Sequence, residues 1–134
     1  MKLEFVKLSK HNFATLVKDD AVYARLLILT RNIGGGMRDL LKSAKERSRS
    51  IGHQAILARI DNKIVGWGLI NTKNNNSFNI FIANNYRRCG IGTLIVKAAK
   101  HIAKEKTGRK RLTVFPQNDA GWAFYEKNKV KVKF

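Results

Sequence analysis

Tyr86-Arg87-Arg88-Cys89-Gly90-Ile91-Gly92-Thr93-Leu94 sits between an apolar run of strand character, Ser77 to Ala83 (SFNIFIA), and a helical pattern from about Gly92 to Lys106. Glycines at 90 and 92 allow a tight backbone turn and leave no Cβ in the way of a ligand. The next helix aims unpaired N–H groups and the positive end of its dipole at the same spot. Such a place binds phosphate, and Arg87 and Arg88 add positive charge. Two common phosphate loops are excluded. A Walker loop needs a Gly-Lys-Ser/Thr that is absent. A dinucleotide fingerprint needs a third glycine where this chain has Ile95, and an acid about twenty positions on, where it has Leu112 to Phe115.

Upstream, HQAILARI (53–60) and IVGWGLINT (64–72) read as strands joined by the Asp61-Asn62-Lys63 turn, a hairpin. Asn74-Asn75-Asn76 is a further turn. Leu3, Phe5 and Leu8 alternate with polar residues and mark a first strand, after which Ser9 to Asn12 offers helix-start residues. Helical stretches come next over roughly 11–33 and 37–49, split by Gly34-Gly35-Gly36; the second buries Met37, Leu40, Leu41 and Ala44. Downstream, Ile95, Ala99 and Ile102 share one helix face and Gly108 stops that helix. Residues 111–115 read as a strand, 118–127 as a short helix, and 130–134 as a last strand beside outward Lys129, Lys131 and Lys133. With no repeat or linker, residues 1–134 are expected to form one domain of α/β (α+β) class, a mixed sheet flanked by helices.

The charge is lopsided: 27 Lys and Arg against 9 acids give +18. The excess is spread, with 12 basic and 5 acidic residues in 1–60 and 15 and 4 in 61–134, so a basic tail on a neutral domain is excluded. A domain so basic draws polyanions. Cys89, the single cysteine, has no partner for a disulfide or a thiol-rich zinc site, which suits a reducing, cytoplasmic setting. The three histidines, His11, His53 and His101, lack metal spacing, and no metal is expected. Ala21 to Leu29, the longest apolar run, is broken by Arg25 and too short for a bilayer.

The pattern Arg87-x-x-Gly90-x-Gly92 resembles the Arg/Gln-x-x-Gly-x-Gly/Ala loop of the GNAT superfamily of N-acetyltransferases. A second block, Asn118-Asp119-Ala120-Gly121-Trp122-Ala123-Phe124-Tyr125-Glu126-Lys127, is similar to that family's Asn-x-x-Ala-x-x-Phe-Tyr-Glu-Lys helix, at the family's usual distance. The resemblance implies a mostly antiparallel central sheet flanked by helices, with acetyl-CoA as co-substrate. It also implies roles by position. Backbone around Phe81 and Ile82 would bond the pantetheine arm. The amides of Arg88, Cys89, Gly90, Ile91, Gly92 and Thr93, with the Arg87 side chain, would hold the pyrophosphate. Asn118 would touch the pantetheine side, and Tyr125 would protonate the departing thiolate, which a phenol can do. Tyr125 and Cys89 also have plainer readings, as a core ring and as a small filler in a tight loop.

The chain departs from the family pattern in three places. Gly121 replaces the usual Ala, and Lys129-Val130 replaces Gly-Phe. The residues after Tyr125 leave room for one strand, not the usual closing pair, so the sheet is expected to end early with a lysine-guarded edge or be completed by a partner. Ser77 to Ala83 carries no acid to deprotonate an amine; His53 and Asp61 lie elsewhere, leaving a water or an amine already largely neutral. The charge points to an acceptor that is acidic or attached to something acidic: transfer RNA, other nucleic acid or an acidic protein. The alternative is a binding protein that keeps the fold without catalysis and acts by occupying nucleic acid or a host factor.

Overall fold

The structure, a computed structural model, describes residues 5–30, 35–47, 53–87, 89–114, 119–128 and 130, without the side chains of 35–36, 47 and 119–122. Its elements run β1 (Lys7–Asn12), α1 (Phe13–Leu16), α2 (Asp20–Thr30), α3 (Gly35–Arg47), β2 (His53–Ile60), β3 (Lys63–Asn71), β4 (Ser77–Ile82), a 3-10 turn (Asn84–Tyr86), α4 (Ile91–Thr107) and α5 (Asp119–Lys127). The four strands form an antiparallel sheet in the order β1-β2-β3-β4. Outside these strands, an isolated parallel bridge joins Ser77 to Thr113.

Strand parity sorts the core into two layers. Ala55, Leu57, Trp67, Leu69 and Phe81 face α1, α2 and α3, where they meet Phe13, Leu16, Leu26, Leu41 and Ala44. Ile56, Ala58, Ile70 and Phe78 face the other way, onto Ile91, Ile95, Val96, Ala99 and Ile102 of α4 and Tyr125 of α5. A side chain at 68 in β3 would meet Ile95 Cγ2 at 2.6 Å, so glycine there lets α4 lie close on the sheet. The β2–β3 hairpin turns through Asp61 (φ 50°) and Asn62 (φ 66°), residue types that tolerate the left-handed region.

Several readings of the N-terminal third are corrected. The first strand is Lys7–Asn12, later than expected, and Phe5 is exposed ahead of it. Ser9 to His11 are strand residues because they pair with Ala55 to Leu57 of β2; only Asn12 serves a helix start, its Oδ1 accepting from Thr15 N at 3.2 Å. The helix expected over 11–33 is two helices. Asp19 Oδ1 accepts from Val22 N at 3.1 Å, and this cap starts α2 afresh. In α3, Leu41 and Ala44 are buried while Met37 and Leu40 pack on the core partly exposed.

At the other end, the strand expected over 111–115 is reduced to bridge residues at Thr113 and Val114 among the described residues. Lys129 and residues 131–134 of the expected last strand lie outside the described residues; Val130 is buried beneath α5, its N–H bonded to Tyr125 O at 2.8 Å. No described helix is long and apolar enough to cross a membrane.

Candidate active site

The site is built where β4 runs into α4. Along β4 the backbone polar groups alternate between its two edges. Ala83 N donates to Val65 O at 2.9 Å, toward β3, whereas Phe78 N donates to Thr113 O at 2.9 Å, on the outer edge. By that alternation the N–H and C=O of Ile80 and Ile82 face outward, and those of Phe81 face Trp67 in the β3 ladder. Of the two backbone positions expected to meet a pantetheine arm, Ile82 has polar groups on the open edge. Phe81 instead puts its ring on the α1–α3 side, 5.2 Å from that of Trp67. Ile80, not singled out by sequence, has the outward groups that Phe81 lacks.

Thr113 holds the neighbouring segment against the start of β4. Its N–H donates to Asn76 O at 3.1 Å and its hydroxyl to Asn75 O at 2.8 Å. Asn76 is buried at φ 53°, and its amide reaches Thr107 Oγ1, Arg109 O and Arg111 O at 3.3, 3.1 and 3.2 Å. The asparagine run, legible only as a turn, thus pins residues 107–113 to the foot of β4.

The turn beyond β4 has the shape that phosphate needs. Gly90 caps α4 at φ 83°, a conformation that costs other L-residues roughly 1–2 kcal/mol. The first intrahelical bond is Leu94 N to Gly90 O at 3.2 Å, so the amides of Ile91, Gly92 and Thr93 precede it without helical acceptors. Arg87 Nε donates to Ile82 O at 3.3 Å, which ties this guanidinium to the end of β4. Cys89 packs partly buried against the α4 layer, with Sγ 3.6 Å from Arg87 O, the position of a small filler. Arg88 and Asn118 lie outside the described residues.

Gly92 differs from the expected turn residue. It lies in the first turn of α4, and a Cβ there would stand 2.8 and 2.9 Å from Phe124 ring carbons and 3.6 Å from Ile80 Cδ1. Glycine at 92 therefore admits the Phe124 ring and draws α5 up to the open edge of β4. Next to it, Tyr125 is 7% exposed, edge-on to Phe124 at 5.4 Å, and burial pushes its phenol up to about 12. The proton stays on this group throughout the neutral range.

β4 carries no acid, and Glu126, which follows Tyr125 on α5, is exposed. Asp61 is exposed at the hairpin turn. His53 begins β2 and is paired through Asn71 to Ser77, so two strand spacings, about 10 Å, separate it from β4. That exceeds the hydrogen-bond reach a general base requires. Its burial against Phe13 lowers its pKa, and Nδ1 has no partner among the described residues. The polar side chains that β4 presents on the α1–α3 side are Ser77 and the exposed Asn79.

The sequence profile of the acetyltransferase (GNAT) family matches residues 28–129. No curated protein matches the chain. Among solved structures, it is similar to an aminoglycoside acetyltransferase from an uncultured soil metagenomic sample at TM-score 0.70 and 18% identity, covering 99% of this chain and 93% of that one. The aminoglycoside acetyltransferase AAC(6')-Iy, in complex with a CoA bisubstrate analogue, gives TM-score 0.69 and 13% identity, with 94% and 90% covered. A ribosomal-protein-alanine N-acetyltransferase from Brucella melitensis biovar Abortus 2308 gives 0.65 and 15%, with 96% and 93% covered. At these identities the structural likeness establishes the fold.

Proposed function

Because the chain belongs to the acetyltransferase (GNAT) family, whose profile spans most of it, we propose that it moves an acetyl group from acetyl-CoA to a primary amine on an acidic or nucleic-acid-associated carrier. One arrangement carries the reading: the outward backbone of Ile80 and Ile82 leads directly to the Gly90 turn and the free amides of α4. A pantetheine arm bonds to such an edge as a strand would, and a pyrophosphate fits the helix start. Arg87 adds charge at the junction, and Arg88 and Asn118 are assigned to the same cofactor by their motif positions. The solved relative bound to a CoA analogue supports the same choice of co-substrate.

In the reaction, the amine lone pair attacks the thioester carbonyl, a C–N bond forms and the C–S bond breaks. The thiolate leaves and takes the Tyr125 proton, which solvent replaces; the new ammonium gives its proton to water. A phenol raised to about 12 is a weak acid for a thiolate in water. The same apolar surroundings raise the basicity of the thiolate, so the two remain matched. The chain's contribution is alignment and a held proton. With no acid on β4, attack draws on the neutral fraction of the amine, roughly a tenth at pH 7 for an α-amine of pKa about 8.

The acceptor class rests on charge. Aminoglycosides, which two of the structural relatives are named for, are polycations, and a protein of net charge +18 repels them. An amine carried by RNA or by an acidic protein is attracted. A reducing, cytoplasmic setting, suggested by the lone Cys89, belongs to the same proposal. The test is mass spectrometry of a cell extract treated with the protein and isotopically labelled acetyl-CoA. Label on an amine of an RNA-borne or acidic acceptor supports the reading; label on cationic small molecules alone overturns the acceptor class.

A further inference from the structure

Part of the surplus charge is held in place beside α2. Two adjoining grooves, about 460 and 310 Å³, run between α2 and residues of β1, β2 and the start of β3, and share Val22 and Arg59 in their walls. Arg25 lines the smaller groove, and His11 and Lys10 line the larger. Arg25 and Arg59 are both only partly exposed. Arg25 Nε donates to Ile64 O at 2.8 Å, and an Arg59 guanidinium nitrogen to Ser9 Oγ at 3.2 Å. Each of these bonds occupies one of five donors and fixes the fork in place.

Among the described residues neither guanidinium has a carboxylate partner: the ion pairs there join Lys45 to Asp20 and His101 to Glu105. The acid in the groove wall, Asp19, is engaged through Oδ1 in capping α2. Lys7 stands directly opposite Arg59 in the β1–β2 register, and like charges in that relation repel. Partly buried charge without a counter-charge is costly unless something supplies one. Among the described residues no Phe, Tyr or Trp lines either groove, and His11 is the one aromatic ring there. Recognition here is of charge and backbone.

We propose that the Arg25–Arg59 groove, with Lys7 at its rim, binds the phosphodiester backbone of RNA, two strands away from the acetyl-CoA edge at β4. The two grooves meeting at Arg59 form an extended trough, which suits successive phosphates better than one small anion. This inference rests on the polyanion part of the proposed function and gives it a location.

The test is binding of bulk transfer RNA to the full chain across a salt series, with inorganic phosphate as a competing probe. Two variants of equal charge change are compared: Lys7→Gln with Arg59→Gln in the groove, and Lys97→Gln with Lys106→Gln on the exposed side of α4. The groove variant is expected to bind about tenfold or more weakly, with the slope of log K against log salt flattened by roughly 1.4–1.8 for two lost phosphate contacts. The α4 variant stays within about threefold of the parent. Retention of the acetyl-CoA-induced melting shift in both variants shows that each is folded. Equal losses in the two variants overturn the groove while the polyanion reading stands. No salt-dependent binding by the parent overturns both, and acetyl transfer, if still present, keeps the enzyme assignment. Displacement of RNA from the parent by equimolar phosphate would mean a small-anion site and also overturn the proposal.

Discussion

The ring of Phe124 occupies the space a Cβ on residue 92 would need, 2.8 Å away at its nearest carbon. This contact joins α5, which carries Tyr125, to the first turn of α4, which carries the free amides. Gly92→Ala is expected to cost about 1–3 kcal/mol through overpacking and to weaken acetyl-CoA binding as α5 is pushed off. Adding Phe124→Leu, which shortens the ring to a smaller side chain, should recover part of both losses. Thermal melts and acetyl-CoA titrations of the four proteins in that cycle check it; additive effects would show that the two positions do not communicate.

Gly90 is constrained differently, by its φ of 83°. Gly90→Val places a β-branched side chain in that conformation and beside the phosphate position. Saturating acetyl-CoA, at about a hundred times its dissociation constant, adds roughly 2.7 kcal/mol to the parent. The parent's melting temperature should rise by several degrees and the variant's should not move. An undiminished shift in the variant would remove the Gly90 turn from the cofactor site.

Tyr125→Phe keeps the ring and removes the proton. Acetyl transfer should slow by about 10²–10⁴-fold with acetyl-CoA affinity nearly unchanged. The pH dependence carries its own sign. The folded-state pKa of about 12 lies above the phenol's ordinary 10.0, so the stability gained by burying the neutral group is full below about 10 and is lost as pH rises through 12. Parent melting temperature should therefore fall more steeply than that of the Phe variant over that window. Parallel curves would mean that the hydroxyl is solvated.

Asn76 is the clamp at the foot of β4. Asn76→Gly keeps the positive φ and removes three hydrogen bonds to the 107–111 segment. A loss of roughly 1–3 kcal/mol is expected, with faster amide exchange at Phe78 and Thr113, whose bonds depend on that segment. Exchange unchanged at both amides would show that Thr113 is held by other contacts.

Much of this arrangement was legible in sequence because local chemistry and tertiary structure agree. The hairpin, β4, the Gly90 turn and α4 fall within a residue or two of their expected bounds, since alternation, turn residues and glycine caps act locally. The N-terminal readings failed where partners decide: Ser9 to His11 look like a helix start but pair with β2, and Asp19 splits a continuous apolar pattern by capping α2. Near the candidate site, the turn expected at Gly90 is the one observed, whereas the packing role of Gly92 was not legible. That Gly92 serves Phe124, and that Ile80 rather than Phe81 faces the open edge, depends on contacts across elements. The Asn76 clamp shows in sequence only as an asparagine-rich turn. Arg25 and Arg59 stand 34 positions apart in the chain and meet one groove system only after folding.

The most direct test of the central claim is CoA release from acetyl-CoA in the presence of a cell extract, with label transfer to an amine followed in the same reaction. The parent should release CoA and acetylate an acceptor in equal amounts, and Tyr125→Phe should slow both by about 10²–10⁴-fold. Acetyl-CoA consumed no faster than in extract alone, with no labelled amine formed, would contradict the assignment of this chain as a working acetyltransferase.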